Sequence, residues 1–265
     1  LAGDDVTLLV EELRAGYGAI EVLHGVNFAA NKGEAIGIFG RNGAGKSTLL
    51  ESLAGVLSVK RGSVLLEGTQ VAGKPSYRVA RRGVALVPQW RGLFPGLSTI
   101  DNLRLGCRGL RLSRTATRAR LAEILEQFPA LAARRDVRAN ALSGGEQQIL
   151  AIAKALVRDP TVLLLDEPSI GLAPIIVDQV AEVIQGLRGS NRLIVVTEQR
   201  IDWALDAVDR GYVIEGGQFV DELHPSDRAT WESKVETFLG TTIAEVKTDD
   251  NPFEEFRNSG KATND

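Results

Sequence analysis

Apolar and polar positions alternate over residues 7–15 and 21–30, the period of half-buried antiparallel strands. Glu34 to Phe39 (EAIGIF) then forms a short apolar strand that runs into a glycine-rich loop, and from Lys46 to Leu57 the apolar spacing turns helical. Ser63–Leu66 and Val84–Val87 read as further strands, the second ended by Pro88. From Gln89 to about Lys154 strand signals fade and Arg-rich helical patterns take over at 113–128, broken by Pro129. Strands resume at Val162–Leu165 and Leu193–Thr197, with a helical pattern at 174–188 between them. Gly211–Glu215 is expected to be an edge strand, and Trp231 to Leu239 a short amphipathic helix. The succession predicts an α/β fold with an antiparallel β edge and an inserted helical subdomain.

Composition narrows the picture only slightly. With 44% hydrophobic and 25% charged residues among 265, the chain has the balance of a soluble globular protein with a sizeable core. A net charge of −3 gives no global electrostatic case for nucleic acid, so none is expected as a partner. Cys107, the single cysteine, cannot form an internal disulfide and reads as a structural thiol in a reducing compartment. No apolar run approaches the length that spans a bilayer, and no secretory leader is recognisable, so work at a membrane would require another polypeptide as anchor. Residues 241–265 carry six acids and three bases with few large apolar groups, and weak order is expected there.

Two segments carry chemistry on their own terms. Gly40-Arg41-Asn42-Gly43-Ala44-Gly45-Lys46-Ser47-Thr48 lies between an apolar strand and a helix, the context of a phosphate-binding loop. Its glycines let backbone N–H groups of the loop, Asn42, Gly43 and Ala44 included, approach phosphate oxygens. Lys46 would reach the β- and γ-phosphates, the Ser47 hydroxyl would ligate Mg²⁺, and Thr48 adds a hydroxyl at the helix start. The bland alternative is a glycine-rich turn. Leu163-Leu164-Leu165-Asp166-Glu167-Pro168 ends a buried strand in two carboxylates, where α/β sheets place ligands. Asp166 would hold Mg²⁺ and Glu167 would polarise an attacking water as general base. A solvated acidic turn is the alternative here.

A third segment, Leu142-Ser143-Gly144-Gly145-Glu146-Gln147-Gln148, stands between them in sequence. Physically it is a small-residue helix entry with Ser143 as N-cap and N–H groups free to face an anion. All three segments, in this order, resemble the ATP-binding cassette (ABC) family over roughly residues 7–222, and the resemblance implies a P-loop NTPase (RecA-like) core. It divides the chain into a first core part at 7–88, a helical subdomain at 89–154, a second core part at 155–222, and a C-terminal helix and tail at 223–265. It implies ATP and Mg²⁺ as ligands, and Ser143, Gly144 and Gly145 as the segment that meets the γ-phosphate of ATP held by a second subunit. Tyr17 falls where the family's aromatic stacks on adenine, though a plain strand tyrosine would look the same. Gln89 resembles the Q-loop glutamine that meets Mg²⁺ or the lytic water; otherwise it is a loop amide.

Two positions depart from the common family pattern. Gln199 stands where many cassettes have a histidine facing the γ-phosphate, and it can donate a hydrogen bond but carries no charge. Ala173 stands where many have a D-loop aspartate. With the strings EPSxGLAP, EQ and PQxRGxFPxL, these departures make the chain similar to ATPase subunits of branched-chain amino acid importers of the LivF-like type. The resemblance implies an ATP-hydrolysing, peripheral subunit on the cytoplasmic face of the inner membrane. It would pair with a second, usually non-identical ATPase subunit that would supply the histidine missing here, and would serve a solute-binding protein indirectly. Trp90, Leu93, Phe94 and Leu97 cluster in a Pro/Gly-containing loop placed to receive integral permease subunits, or else to pack on its own subdomain. A urea or amide importer ATPase, a soluble non-transport ABC ATPase and a regulatory subunit of low turnover are the competing readings.

Overall fold

The computed structural model describes residues 6–110 and 112–239. In chain order its elements are β1 (Val6–Ala15), β2 (Leu23–Asn31), β3 (Ala35–Phe39), α1 (Lys46–Leu53), β4 (Val59–Leu66), β5 (Thr69–Gln70), α2 (Ser76–Arg81) and β6 (Val84–Val87). Then follow α3 (Thr99–Gly106), α4 (Arg114–Gln127), α5 (Pro129–Ala133), α6 (Gly144–Leu156), β7 (Val162–Asp166), α7 (Pro174–Leu187), β8 (Leu193–Glu198), α8 (Ala204–Ala207), β9 (Arg210–Glu215), β10 (Gln218–Leu223) and α9 (Trp231–Leu239).

Two sheets organise these elements. A six-stranded sheet runs β10-β9-β3-β8-β7-β6, and a four-stranded antiparallel sheet runs β2-β1-β4-β5. In the first, β9, β3, β8, β7 and β6 are parallel neighbours while β10 pairs antiparallel with β9. The central strands read as continuous apolar runs because both faces are covered. Alternate residues leave on opposite faces: Phe39, Leu163, Leu165, Ile194 and Val196 join one core with α3, α6 and α7. Ile36, Ile38, Leu164 and Val195 join a second core with Leu49, Leu50 and Leu53 of α1 and the inner face of the antiparallel sheet. Helix α1 is thereby clamped between the two sheets, and the loop before it cannot drift from the strand that feeds it.

The sequence reading places most of the longer elements, while β5, β10, α2 and α8 went unread and several further elements differ. Helix α1 ends at Leu53 rather than Leu57, because Gly55 takes a left-handed φ of 69° that stops the helix. β4 begins at Val59, four residues before the expected start at Ser63. β9 is not an edge strand: it lies between β10 and β3. Gly216 and Gly217, at φ 53° and 76°, turn the chain straight back into β10, as a two-residue hairpin requires. Helix α3 was not anticipated at all. The expected weak order of 241–265 falls outside the described residues. Cys107 is buried, as expected, and burial pushes its thiol pKa up, which keeps it protonated and inert.

Candidate functional site

The loop between β3 and α1 is shaped by close approach and by backbone sign. A Cβ on Gly40 would lie 2.5 Å from the carbonyl oxygen of Ile214, so no larger residue fits there. Gly43 and Gly45 take φ of 82° and 108°, turning successive peptide groups inward. No side chain caps α1, so the N–H groups of its first turn remain for an anion. Ala44, Lys46 and Thr48 are buried, Ser47 is half-buried and Asn42 is exposed.

β7 and β8 bring the carboxylates to this loop. Lys46 Nζ donates to the carbonyl oxygens of Gly40 at 2.7 Å and Arg41 at 3.1 Å, and pairs with Glu167 Oε1 at 2.9 Å. Both partners of that ion pair are buried, so each depends on the other for neutralisation. Glu167 Oε2 accepts from Gln89 Nε2 at 3.1 Å, which draws the otherwise exposed Gln89 to the same point. Asp166 Oδ1 accepts from the Thr197 hydroxyl at 2.8 Å, and the Ser47 hydroxyl also bonds its carboxylate. Burial raises the Asp166 pKa, with the Glu167 charge adding to that, while the Thr197 and Ser47 hydroxyls and Lys46 oppose it. Tyr17 stands at the rim with its ring 50% exposed and its hydroxyl donating to Glu51 at 2.8 Å. Tyr17, Asn42, Gly43, Gly45, Lys46, Ser47, Thr48, Gln89 and Glu167 all line one cavity of about 460 Å³.

Seven of the candidate residues do not line it: Gly40, Ala44 and Asp166 belong to the loop and strand end that frame it, and Gln199 and Ser143–Gly145 sit elsewhere. Gln199 is exposed at the end of β8. Ser143, Gly144 and Gly145 form the entry of α6, where Ser143 caps the helix in a reciprocal box with Glu146. Gly145 is packed so that a Cβ would meet Ile176 at 2.2 Å, whereas Gly144 is exposed and has 3.4 Å of room. This entry is joined to the Gln89 loop by Arg91, whose guanidinium donates to Gln148 at 3.2 Å and Gln147 at 3.0 Å.

The loop carrying Arg91 is also the most exposed apolar segment near the site. Trp90 is 76% exposed and Phe94 52%. The loop is nevertheless held in shape, because the buried Asn102 side chain accepts from Phe94 N–H and donates to the carbonyls of Phe94, Leu97 and Ser98. Lys154 donates to Gly92 at 2.6 Å from beneath, over the Phe94 ring. Beside it runs a groove of about 440 Å³ lined by Tyr77, Leu86, Pro88, Arg91, Gly92, Leu105 and Lys154 among others.

Sequence reasoning passed over Thr197, Glu198 and Arg91. Thr197 orders both carboxylates, since the Glu167 N–H also donates to its carbonyl at 3.1 Å and its hydroxyl at 3.2 Å. The available signal was a hydroxyl and a carboxylate closing an otherwise apolar strand, LIVVTE.

The arrangement can hold a polyphosphate at the α1 N-terminus with a cation and an activating carboxylate beside it. Comparisons with known proteins give the family. Residues 23–170 match the family model described as ABC transporter. The chain is 42% identical over 213 residues to the high-affinity branched-chain amino acid transport ATP-binding protein BraG of Pseudomonas aeruginosa, covering 80% of this chain and 91% of that protein. It is 35% identical over 208 residues to a probable branched-chain amino acid transport ATP-binding protein, LivF, of Archaeoglobus fulgidus, covering 78% of this chain and 87% of that one. Its fold matches the ADP conformation of MJ1267, an ATP-binding cassette of an ABC transporter, with a TM-score of 0.77 and 26% identity over 89% of this chain and 99% of that one. The chain belongs to the ABC transporter family as one of its ATP-hydrolysing cassettes.

Proposed function

We propose that this chain powers an importer for branched-chain or related amino acids by hydrolysing ATP at the cytoplasmic face of the membrane. One observation carries the reading. The cavity at Lys46 gathers Tyr17, Ser47, Gln89 and Glu167, while Ser143–Gly145 do not line it, and Ser143 and Gly144 are exposed elsewhere on the same chain. A site divided in this way is completed when a second cassette brings its own helix entry to the γ-phosphate. With a charged histidine absent at Gln199, the best-suited partner is a non-identical cassette.

Within the site, Tyr17 stacks on adenine and the 40–48 loop wraps the phosphates. Lys46 exchanges Glu167 for the β- and γ-phosphates, and the released Glu167 orients water and accepts its proton. Gln89 reports on the γ-phosphate position, and Gln199 donates a hydrogen bond to it. The donor set fits Mg²⁺: Ser47 and Asp166 already converge, and a hard cation bound to a triphosphate needs few protein ligands. Ser47, Asp166 and the Gln89 amide would hold Mg²⁺, which would supply charge neutralisation to the bound triphosphate.

Residues 7–88 and 155–222 serve as the ATP-binding core and 89–154 as the subdomain that relays its state. Among the described residues no helix is long and apolar enough to cross a membrane. Integral permease subunits dock on the Trp90–Leu97 loop and its groove, and a solute-binding protein acts through them. The test is reconstitution with the neighbouring permease, cassette and binding protein in vesicles. Hydrolysis should rise when the binding protein is loaded with leucine, isoleucine or valine. Stimulation by urea or short amides instead would move the chain to that importer class, and hydrolysis indifferent to any permease would overturn the transport role.

A further inference from the structure

Glu198 is a buried carboxylate with no cation beside it. It is 2% exposed, and among the described residues no Lys, Arg or His pairs with it. Its charge is met instead by donors from two loops, the Ser169 hydroxyl and two backbone N–H groups. Oε1 accepts the N–H of Ser169 at 3.0 Å, and Oε2 accepts the N–H of Gln199 at 3.2 Å. Ser169 lies two residues beyond Glu167 in a turn closed by Ile170 N–H to Glu167 O at 3.1 Å. The Glu198 backbone carbonyl accepts the N–H of Gly40 at 3.3 Å, so the phosphate loop meets the same residue.

A buried carboxylate held this way is costly to keep, and an apolar side chain would fill the space at lower cost. What it offers is two strong acceptors a fixed distance apart, one for each loop. Burial pushes its carboxyl up to about 7, opposed by the Ser169 and Gln199 donors and reinforced by the negative charge of Glu167.

We infer that Glu198 is a positioning residue that ties the turn bearing Glu167 to the loop bearing Gln199, so that both groups reach the γ-phosphate as one rigid unit. The inference rests on the ATPase reading above. A glutamine at 198 has one acceptor oxygen where two are needed. An aspartate keeps the charge but is one methylene short of spanning both loops.

The experiment compares steady-state hydrolysis by the parent, Glu198→Gln, Glu198→Asp, Gln199→Ala and the Glu198→Gln/Gln199→Ala double variant, all within the reconstituted transporter. Misplaced reacting groups should lower kcat by about tenfold in both Glu198 variants, with KM for ATP within about twofold of the parent. Their thermal midpoints should stay within a few degrees, about what 1 kcal/mol shifts in a chain of this size. The double variant should be no slower than the slower single one, since Glu198 acts partly through Gln199. Parental kcat in either Glu198 variant, losses that multiply in the double variant, or a failure of both Glu198 variants to fold would each overturn the positioning role. If the parent itself does not hydrolyse ATP, it is the ATPase reading that fails.

Discussion

Glu167 occupies the left-handed region with φ 44°, a conformation that a non-glycine residue keeps only where its surroundings demand it. Here the demand comes from Thr197 behind the main chain and from Lys46 and Gln89 at the carboxylate. Replacing Glu167 by Gln should therefore do two things. Turnover should fall by about 10²–10⁴-fold, the worth of a positioned general base. ATP should bind more tightly, because a neutral amide no longer competes with phosphate for Lys46. Stopped-flow binding and single-turnover hydrolysis separate the two effects, and weaker ATP binding by the variant would contradict the competition. At this scale the sequence was legible where a residue type and a spacing together carry the chemistry, as for Lys46, Ser47, Asp166 and Glu167. It was not legible for Thr197 and Glu198, whose importance comes from β7 and β8 lying side by side, thirty residues apart in the chain.

The α6 entry illustrates how one element can serve a structural and a functional purpose at adjacent positions. Gly145 faces inward against Ile176 of α7, so any larger residue there must displace the helix pair. Gly144 has room for a methyl group and faces outward. Gly144→Ala should leave the thermal midpoint within about 2 °C of the parent, because alanine suits a first helical turn at least as well as glycine. Its hydrolysis in the assembled transporter should nonetheless drop severalfold, as the added methyl group crowds the neighbouring subunit's phosphate. Equal loss of stability and activity would mean that the α6 entry matters only for folding. The capped helix and its start were readable from Ser143 as N-cap. The β9–β10 hairpin was missed although Gly216-Gly217 signals it, because the polar alternation of β10 resembles a surface loop more than a strand. Helix α3 escaped because only eight residues separate Ser98 from its end.

The whole molecule places the phosphate cavity at the carboxyl ends of parallel strands and the α6 entry at a separate surface, with Arg91 bridging the Gln89 loop to α6. On the function proposed above, one chain carries the two halves of different sites. If the partner is a non-identical cassette, mixing Gly144→Arg and Glu167→Gln forms of this chain alone should restore no hydrolysis. Recovery towards about a quarter of the parental rate, since about half the dimers are mixed and each keeps one intact site of two, would show that the chain pairs with itself. This level was only partly legible in the sequence. The three motifs and their order imply a divided site only through the family resemblance, and the separation of the cavity from the α6 entry is a property of how the helical segment is laid against the sheet, which no local pattern encodes.

In a cell that keeps ATP in large excess, the separation of the α6 entry from the Lys46 cavity bears on leakage. A cassette made ahead of its partners, or shed from them, meets nucleotide continuously. On the mechanism proposed above, ATP itself frees Glu167 from Lys46 even in that isolated chain, but the helix entry that would face the terminal phosphate is missing. The missing entry would then slow idle consumption and link fuel use to assembly, so that surplus copies of the subunit would drain little from the pool.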